Sequence, residues 1–255
     1  MATTISRDRI IEALRAALAE REWVRSVWLG GSDATGRTDE WSDIDLMVLV
    51  KAGRIDDGLD LVGGTLAALS PIAHRHRLPA RPEAGYEQEF LSLRDADPAH
   101  FVDVCVLTPD APDLFLDAER HGEPLVLFDR DGMARPSALD RDAHRARMAA
   151  RLAVLRETFP MFQTMVTRAV RRGQVATAID AFVALTLRPL VEVLRMRHCP
   201  DRFDYGVRYL DRDLPEEVRE AVERLALPRT LEDVEANRAA AEAMFTETLA
   251  ALDGA

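Results

Sequence analysis

The stretch Leu29-Gly30-Gly31-Ser32, ten residues of polar loop, then Asp43-Ile44-Asp45-Leu46 running on to Val50 constrains this chain more than any other. Gly-Gly-Ser lets the backbone turn tightly and point N–H groups at an anion. Leu46 to Val50 is apolar at every position, the pattern of a strand covered on both faces. Asp43 and Asp45 alternate with Ile44, Leu46 and Val48, so both stand on one face, their Cα atoms roughly 6–7 Å apart. Carboxylates so spaced can converge on metal ions lying about 3.5–4 Å apart. Leading into a doubly covered strand, two such charges are costly without cations. The pattern therefore points to phosphate and metal chemistry rather than to acids facing water beside a turn.

A length of 255 residues suits one large or two modest domains. With 47% hydrophobic and 30% charged residues, the chain reads as globular rather than disordered. The formal charge of −11 argues against a general nucleic-acid binder and is compatible with a cationic acceptor. Cys105 and Cys199 show no metal-binding spacing, and Cys105, inside Val104-Cys105-Val106-Leu107, reads as a core filler. The first residues lack an apolar signal core, and no stretch approaches the roughly 20 apolar residues of a membrane span. The expected location is the cytoplasm, with no membrane partner.

Ser6 is placed to cap a first helix with an apolar stripe at Ile11, Leu14 and Leu18. Strands are expected at 24–29, 44–50, 86–93, 101–107 and 124–128, and a short helical turn from Ser32. Helical periodicity covers 55–70, weakened by Gly63-Gly64. His74-Arg75-His76-Arg77 reads as an exposed polar loop rather than a wall for an anionic ligand. Composition shifts after about residue 133. Met148, Leu152, Leu155 and Phe159 mark one helix. Ile179 to Leu194 mark a second, kinked at Pro189. Pro215 starts a third, and the last runs from about Thr230 to Leu252. The expected fold class is α+β: a small mixed sheet flanked by helices over 1–133, then an all-helical domain over 134–255 that completes an acceptor cleft.

Asp103 lies in the apolar run Phe101-Val102-Asp103-Val104-Cys105-Val106, where a lone charge needs an explanation. Facing solvent on an edge strand is one. With Asp43 and Asp45, however, it makes a three-carboxylate cage suited to hard cations such as Mg2+. At this point the chain resembles the DNA polymerase beta-type nucleotidyltransferase superfamily: Gly31-Ser32, a short spacer, Asp43-Ile44-Asp45-Leu46, and a third acid at Asp103. Its size and helical second half look like the aminoglycoside and lincosamide nucleotidyltransferase branch. The motif match spans roughly 28–107; the likeness of 135–255 rests on helical layout. Arg202 to Leu210 looks like a segment found in relatives, without an assignable role.

The resemblance implies a nucleotidyltransferase fold and a two-Mg2+ enzyme using ATP or another NTP, with Asp43, Asp45 and Asp103 as catalytic and metal-binding residues. Gly31 and Ser32 would bind the β and γ phosphates. Arg37, in the loop before Asp43, is a candidate phosphate donor and equally a solvated arginine. Asp33 is expected to face solvent or cap the following turn, since pointing inward it would oppose a triphosphate. Arg141, Arg145, Arg168, Arg171 and Arg172 could reach the triphosphate, though a solvated helix face explains each. Asp180 and Glu192 are possible second-domain acids, more simply surface or ion-paired. The implied activity is transfer of a nucleoside monophosphate, AMP foremost, to a hydroxyl of a small molecule such as an aminoglycoside-like antibiotic, by a monomer or homodimer. Alternatives are nucleotidylation of a protein hydroxyl, or a silent nucleotide-binding or antitoxin-like module.

Overall fold

Ser6 accepts a hydrogen bond from the Arg9 N–H at 3.3 Å and so caps helix α1 (Arg7–Ala19). The computed structural model describes residues 4–254. Ile10, Leu14 and Leu18 are the buried face of α1, so its stripe begins at Ile10 and leaves Ile11 half-buried. Next come β1 (Val24–Leu29), a single turn α2 (Gly31–Ala34), β2 (Ile44–Val50) and α3 (Ile55–Leu69). Then follow β3 (Ile72–Arg77), β4 (Tyr86–Leu93), β5 (Val102–Leu107), a short α4 (Ala118–His121) and β6 (Leu125–Asp129).

The strands form one mixed sheet in the order β3-β4-β5-β2-β1-β6, with β2 and β5 parallel and the other neighbours antiparallel. Alternation sorts the side chains. Ile44, Leu46, Val48, Val102, Val104 and Val106 face one way and bury against α1 and α3. Trp28, Leu49, Cys105 and Leu107 face the other way, with Leu116 and Ala134. Cys105 is thus core, and burial raises its thiol pKa far above the ordinary range, which keeps it inert. Helix α3 runs unbroken through Gly63-Gly64. It lies so close to the sheet that a Cβ at Gly58 would stand 2.8 Å from the Val106 Cγ1.

His74 to Arg77 is not the expected loop but the outer strand β3, exposed along most of its length. Alternating His and Arg carry no apolar signal, yet basic residues are what protects a sheet edge from further pairing. Arg75 and Arg77 pair with Glu89 and Glu87 of β4.

The chain divides into two compact units, the first ending at Leu139 and the second beginning at Asp140. In the second, Asp140 caps the long helix α5 (Arg141–Arg171), accepting from the N–H groups of Asp142 and Ala143. Helix α6 (Val175–Phe182) passes through one wide π turn, Val183–Leu187, into α7 (Arg188–His198). Pro189 has no N–H to give the Leu185 carbonyl one turn back. Gln163 of α5 donates to that carbonyl instead, at 3.0 Å, and accepts from Thr186 at 2.6 Å. The kink expected at Pro189 is therefore a π turn with an outside donor. Helices α8 (Leu210–Asp213), α9 (Glu216–Leu225) and α10 (Leu231–Asp253) complete the unit, α10 beginning in a Thr230–Asp233 capping box. Phe159 and Phe245 stack at 3.7 Å and join α5 to α10. Among the described residues no helix is long and apolar enough to cross a membrane.

Candidate active site

The parallel pairing of β2 and β5 sets the site. Its register puts Asp45 opposite Asp103, and Asp43, two residues before Asp45, shares their side of the sheet. Neighbouring strands lie about 4.8 Å apart, so three carboxylates crowd one sheet face. The Ile44 N–H bonds the Phe101 carbonyl at 3.0 Å and extends this pairing to the strand ends.

The glycine turn closes on the same face. The Gly30 N–H donates to the Asp45 carbonyl at 2.9 Å. Gly31 has φ +52°, a conformation other residues rarely adopt, and a Cβ there would fall 1.7 Å from Asp45 Oδ2, so a side chain at 31 would strain the turn and displace the carboxylate. The Ser32 Oγ is buried with no hydrogen-bond partner among the described residues. A buried hydroxyl without a partner is costly unless a ligand supplies one.

Electrostatics follow from the crowding. Burial raises the Asp45 pKa to about 7, and the nearby Asp43, Asp103 and Asp33 push it the same way against Arg7. Burial also raises Asp43 and Asp103; Gln88 opposes the rise at Asp103. The Gln88 amide Nε2 donates to both Asp103 oxygens, at 2.7 and 2.9 Å. Among the described residues no three His, Cys, Asp or Glu side chains are gathered as a metal-binding group. The aspartates share a face while Gln88 holds Asp103. The donor set nonetheless suits Mg2+: oxygen ligands only, three acids resisting ionisation by burial, and an unpartnered hydroxyl beside them for a phosphate.

Two residues escaped the sequence reading. Arg7, at the start of α1, donates through Nε and Nη2 to the Asp43 carbonyl at 3.0 and 2.9 Å and pairs with the Asp33 carboxylate. Of the two expectations for Asp33, facing solvent or capping the following turn, the first does not hold. Its side chain is 7% exposed, and Arg7 pairs with its charge. Gln88 is the other, and only the β4–β5 register brings it to Asp103. Arg37 is exposed; its N–H bonds the Ser32 carbonyl at 2.9 Å.

In the second unit, Arg141 pairs with Asp201, Arg145 with Asp142, and Glu192 with Arg151, while Asp180 is exposed. Arg168, Arg171 and Arg172 are exposed and, with Arg238, line a cavity of about 460 Å³. Residues 202–210 wrap Arg195, which is fully buried. Its guanidinium donates to the carbonyls of Arg202, Gly206 and Arg208 and to Asp213. Burial pushes the Asp213 carboxyl up, but Arg212, Arg195 and Arg202 outweigh it and hold the pKa below the ordinary range. That segment, without a role in the sequence reading, is a structural loop around a buried cation.

Residues 10–78 match the family model described as "Nucleotidyltransferase domain". The matched segment takes in the glycine turn, Asp43 and Asp45, and ends before Asp103. A nucleotidyltransferase domain over this stretch supports nucleotide transfer in general terms, and a six-stranded mixed sheet followed by helices is consistent with that domain. No curated protein matches the chain. Among solved structures, the complex titled "Structure of E. coli MS115-1 CdnC:HORMA-deltaN complex" is similar at 15% identity, over 91% of this chain and 87% of that one, with a TM-score of 0.29.

Proposed function

We propose that this protein is a Mg2+-dependent enzyme that moves a nucleoside monophosphate, AMP from ATP foremost, onto a hydroxyl of a small molecule and releases pyrophosphate. The observation that carries the reading is the pairing of Asp45 with Asp103 on the face where Gly31 touches the Asp45 carboxylate. Asp43 and Asp45 would hold one ion and Asp103 would help hold a second. Bound there, Mg2+ supplies charge neutralisation for the triphosphate and the leaving pyrophosphate.

The chain's own groups do the rest. Ser32, with its buried unpartnered Oγ, donates to a β- or γ-phosphate oxygen, helped by the backbone N–H groups of the turn. Arg7 cancels Asp33 and fixes the Asp43 backbone, so the turn can receive an anion. Asp103, its pKa raised by burial, accepts the acceptor hydroxyl's proton. The hydroxyl oxygen then forms a bond to the α-phosphorus as the α–β bridging bond breaks, and pyrophosphate carries away that electron pair. A charge of −11 disfavours a long polyanionic acceptor, which supports a small one.

The test is an acceptor screen with each of the four NTPs and Mg2+. It reads pyrophosphate release and product mass, over amino-sugar antibiotics, lincosamides, nucleosides and aryl glycosides. The expected result is an acceptor gaining the mass of one nucleotide. A nucleotide appearing on a partner protein, with no small molecule modified, would replace this reading.

A further inference from the structure

On the sheet face that carries the three aspartates, a cavity of about 470 Å³ opens against β3, β4 and the approach to β5. Its walls include His74, His76, Phe90, Ser92, Arg94 and Phe101. The strand register fixes its place. Phe90 lies opposite Asp103 across β4–β5, and His76 lies opposite Phe90 across β3–β4. Directly opposed side chains have Cβ atoms about 4.5–5.5 Å apart, so the cavity begins one side chain away from Asp103.

The wall chemistry selects among acceptors. The Phe90 and Phe101 rings are half-buried, with centroids 6.3 Å apart and planes tilted by 54°. Ser92 Oγ and His74 Nδ1, 3.1 Å apart, and the exposed His76 offer polar groups at the margin. Among the described lining residues none is a carboxylate, and Arg94 carries the fixed charge. Along these walls an ammonium-rich amino-sugar would meet an arginine and two imidazoles, and its nearest counter-charge, Asp103, stands behind Phe90 in the strand register. A planar ring would meet two aromatic faces. The volume lies within the ordinary range of small-molecule pockets, about 300–1,000 Å³.

We propose that this cavity holds the acceptor, and that the acceptor is a hydroxyl-bearing molecule built on an aromatic or heteroaromatic ring rather than a polycationic amino-sugar. The inference rests on the nucleotidyl-transfer reading, because that reading makes Asp103 the group that receives the hydroxyl proton.

Binding is measured by calorimetry without nucleotide, using adenosine, p-nitrophenyl glucoside and kanamycin as probes. The proteins are the wild type, Phe90→Ala and Phe90→Leu, the last keeping apolar bulk without the ring. Thermal midpoints show that each variant is folded. At least one ring-bearing probe should bind the wild type, bind about tenfold more weakly to Phe90→Leu, and gain a nucleotide's mass when ATP and Mg2+ are added. The proposal is overturned when neither ring-bearing probe binds, when binding ignores both substitutions, or when kanamycin is the probe modified. Ring binding that depends on Phe90, with no nucleotide transferred to it, removes the acceptor assignment. Failure of the transfer reading itself shows separately, as absence of MgATP binding in the wild type.

Discussion

At the scale of single residues, the site is a balance between crowded negative charge and the groups that tolerate it. Asp45 has a folded pKa of about 7 against an ordinary value of 3.8, so between those values the native state holds a proton the unfolded chain has lost. Its contribution is therefore fully present below about pH 4 and is lost as pH rises to 7. Without metal, the thermal midpoint should fall across that window, Asp45→Asn should flatten the fall, and Mg2+ should restore stability to the wild type near pH 8. Melting curves in EDTA and in Mg2+ check all three; a wild-type midpoint that climbs from pH 4 to 7 without metal contradicts the burial argument. Gly31→Ala must accommodate both φ +52° and a carboxylate oxygen at 1.7 Å. A cost of about 1–3 kcal/mol in urea unfolding, with activity lost, is expected. Gly31, Ser32, Asp43, Asp45 and Asp103 are candidates from the sequence because a glycine turn and acids beside or inside apolar strands stand out there. Arg7 and Gln88 do not. Arg7 reads as an ordinary first-turn arginine, and its bonds to Asp33 and Asp43 span 26 and 36 positions.

At the scale of elements, apolar alternation carried most of the fold. The ranges 24–29, 44–50 and 86–93 match the strands observed. Strand β3 was illegible for the same reason: His-Arg-His-Arg has no alternation, and its partner β4 supplies the reason for its shape. The π turn before α7 shows a different limit. Pro189 announced a break, but its repair depends on Gln163, a residue on another helix. Replacing Gln163 with leucine would leave the Leu185 carbonyl and the Thr186 hydroxyl without this partner in a buried place. Such losses cost about 1–3 kcal/mol. Urea unfolding should show that loss for Gln163→Leu, and an unchanged midpoint would mean that water or a shifted helix satisfies the carbonyl equally well.

At the scale of the whole molecule, the chain joins a mixed α/β unit bearing the carboxylate face to a helical unit with its own core. A charge of −11 sets the long-range field that any polyanion meets. Fluorescence anisotropy with a labelled 30-nucleotide RNA or DNA at physiological salt should show no micromolar binding; clear binding there would return a nucleic-acid acceptor to consideration. The central claim is that the Asp43–Asp45–Asp103 face performs nucleotidyl transfer. The most direct measurement is pyrophosphate release from ATP and Mg2+, with an acceptor found in the screen, in the wild type and in Asp45→Asn. Turnover is expected in the wild type, with a loss of about a thousandfold or more in the folded variant. Turnover at the wild-type rate in folded Asp45→Asn would contradict that claim.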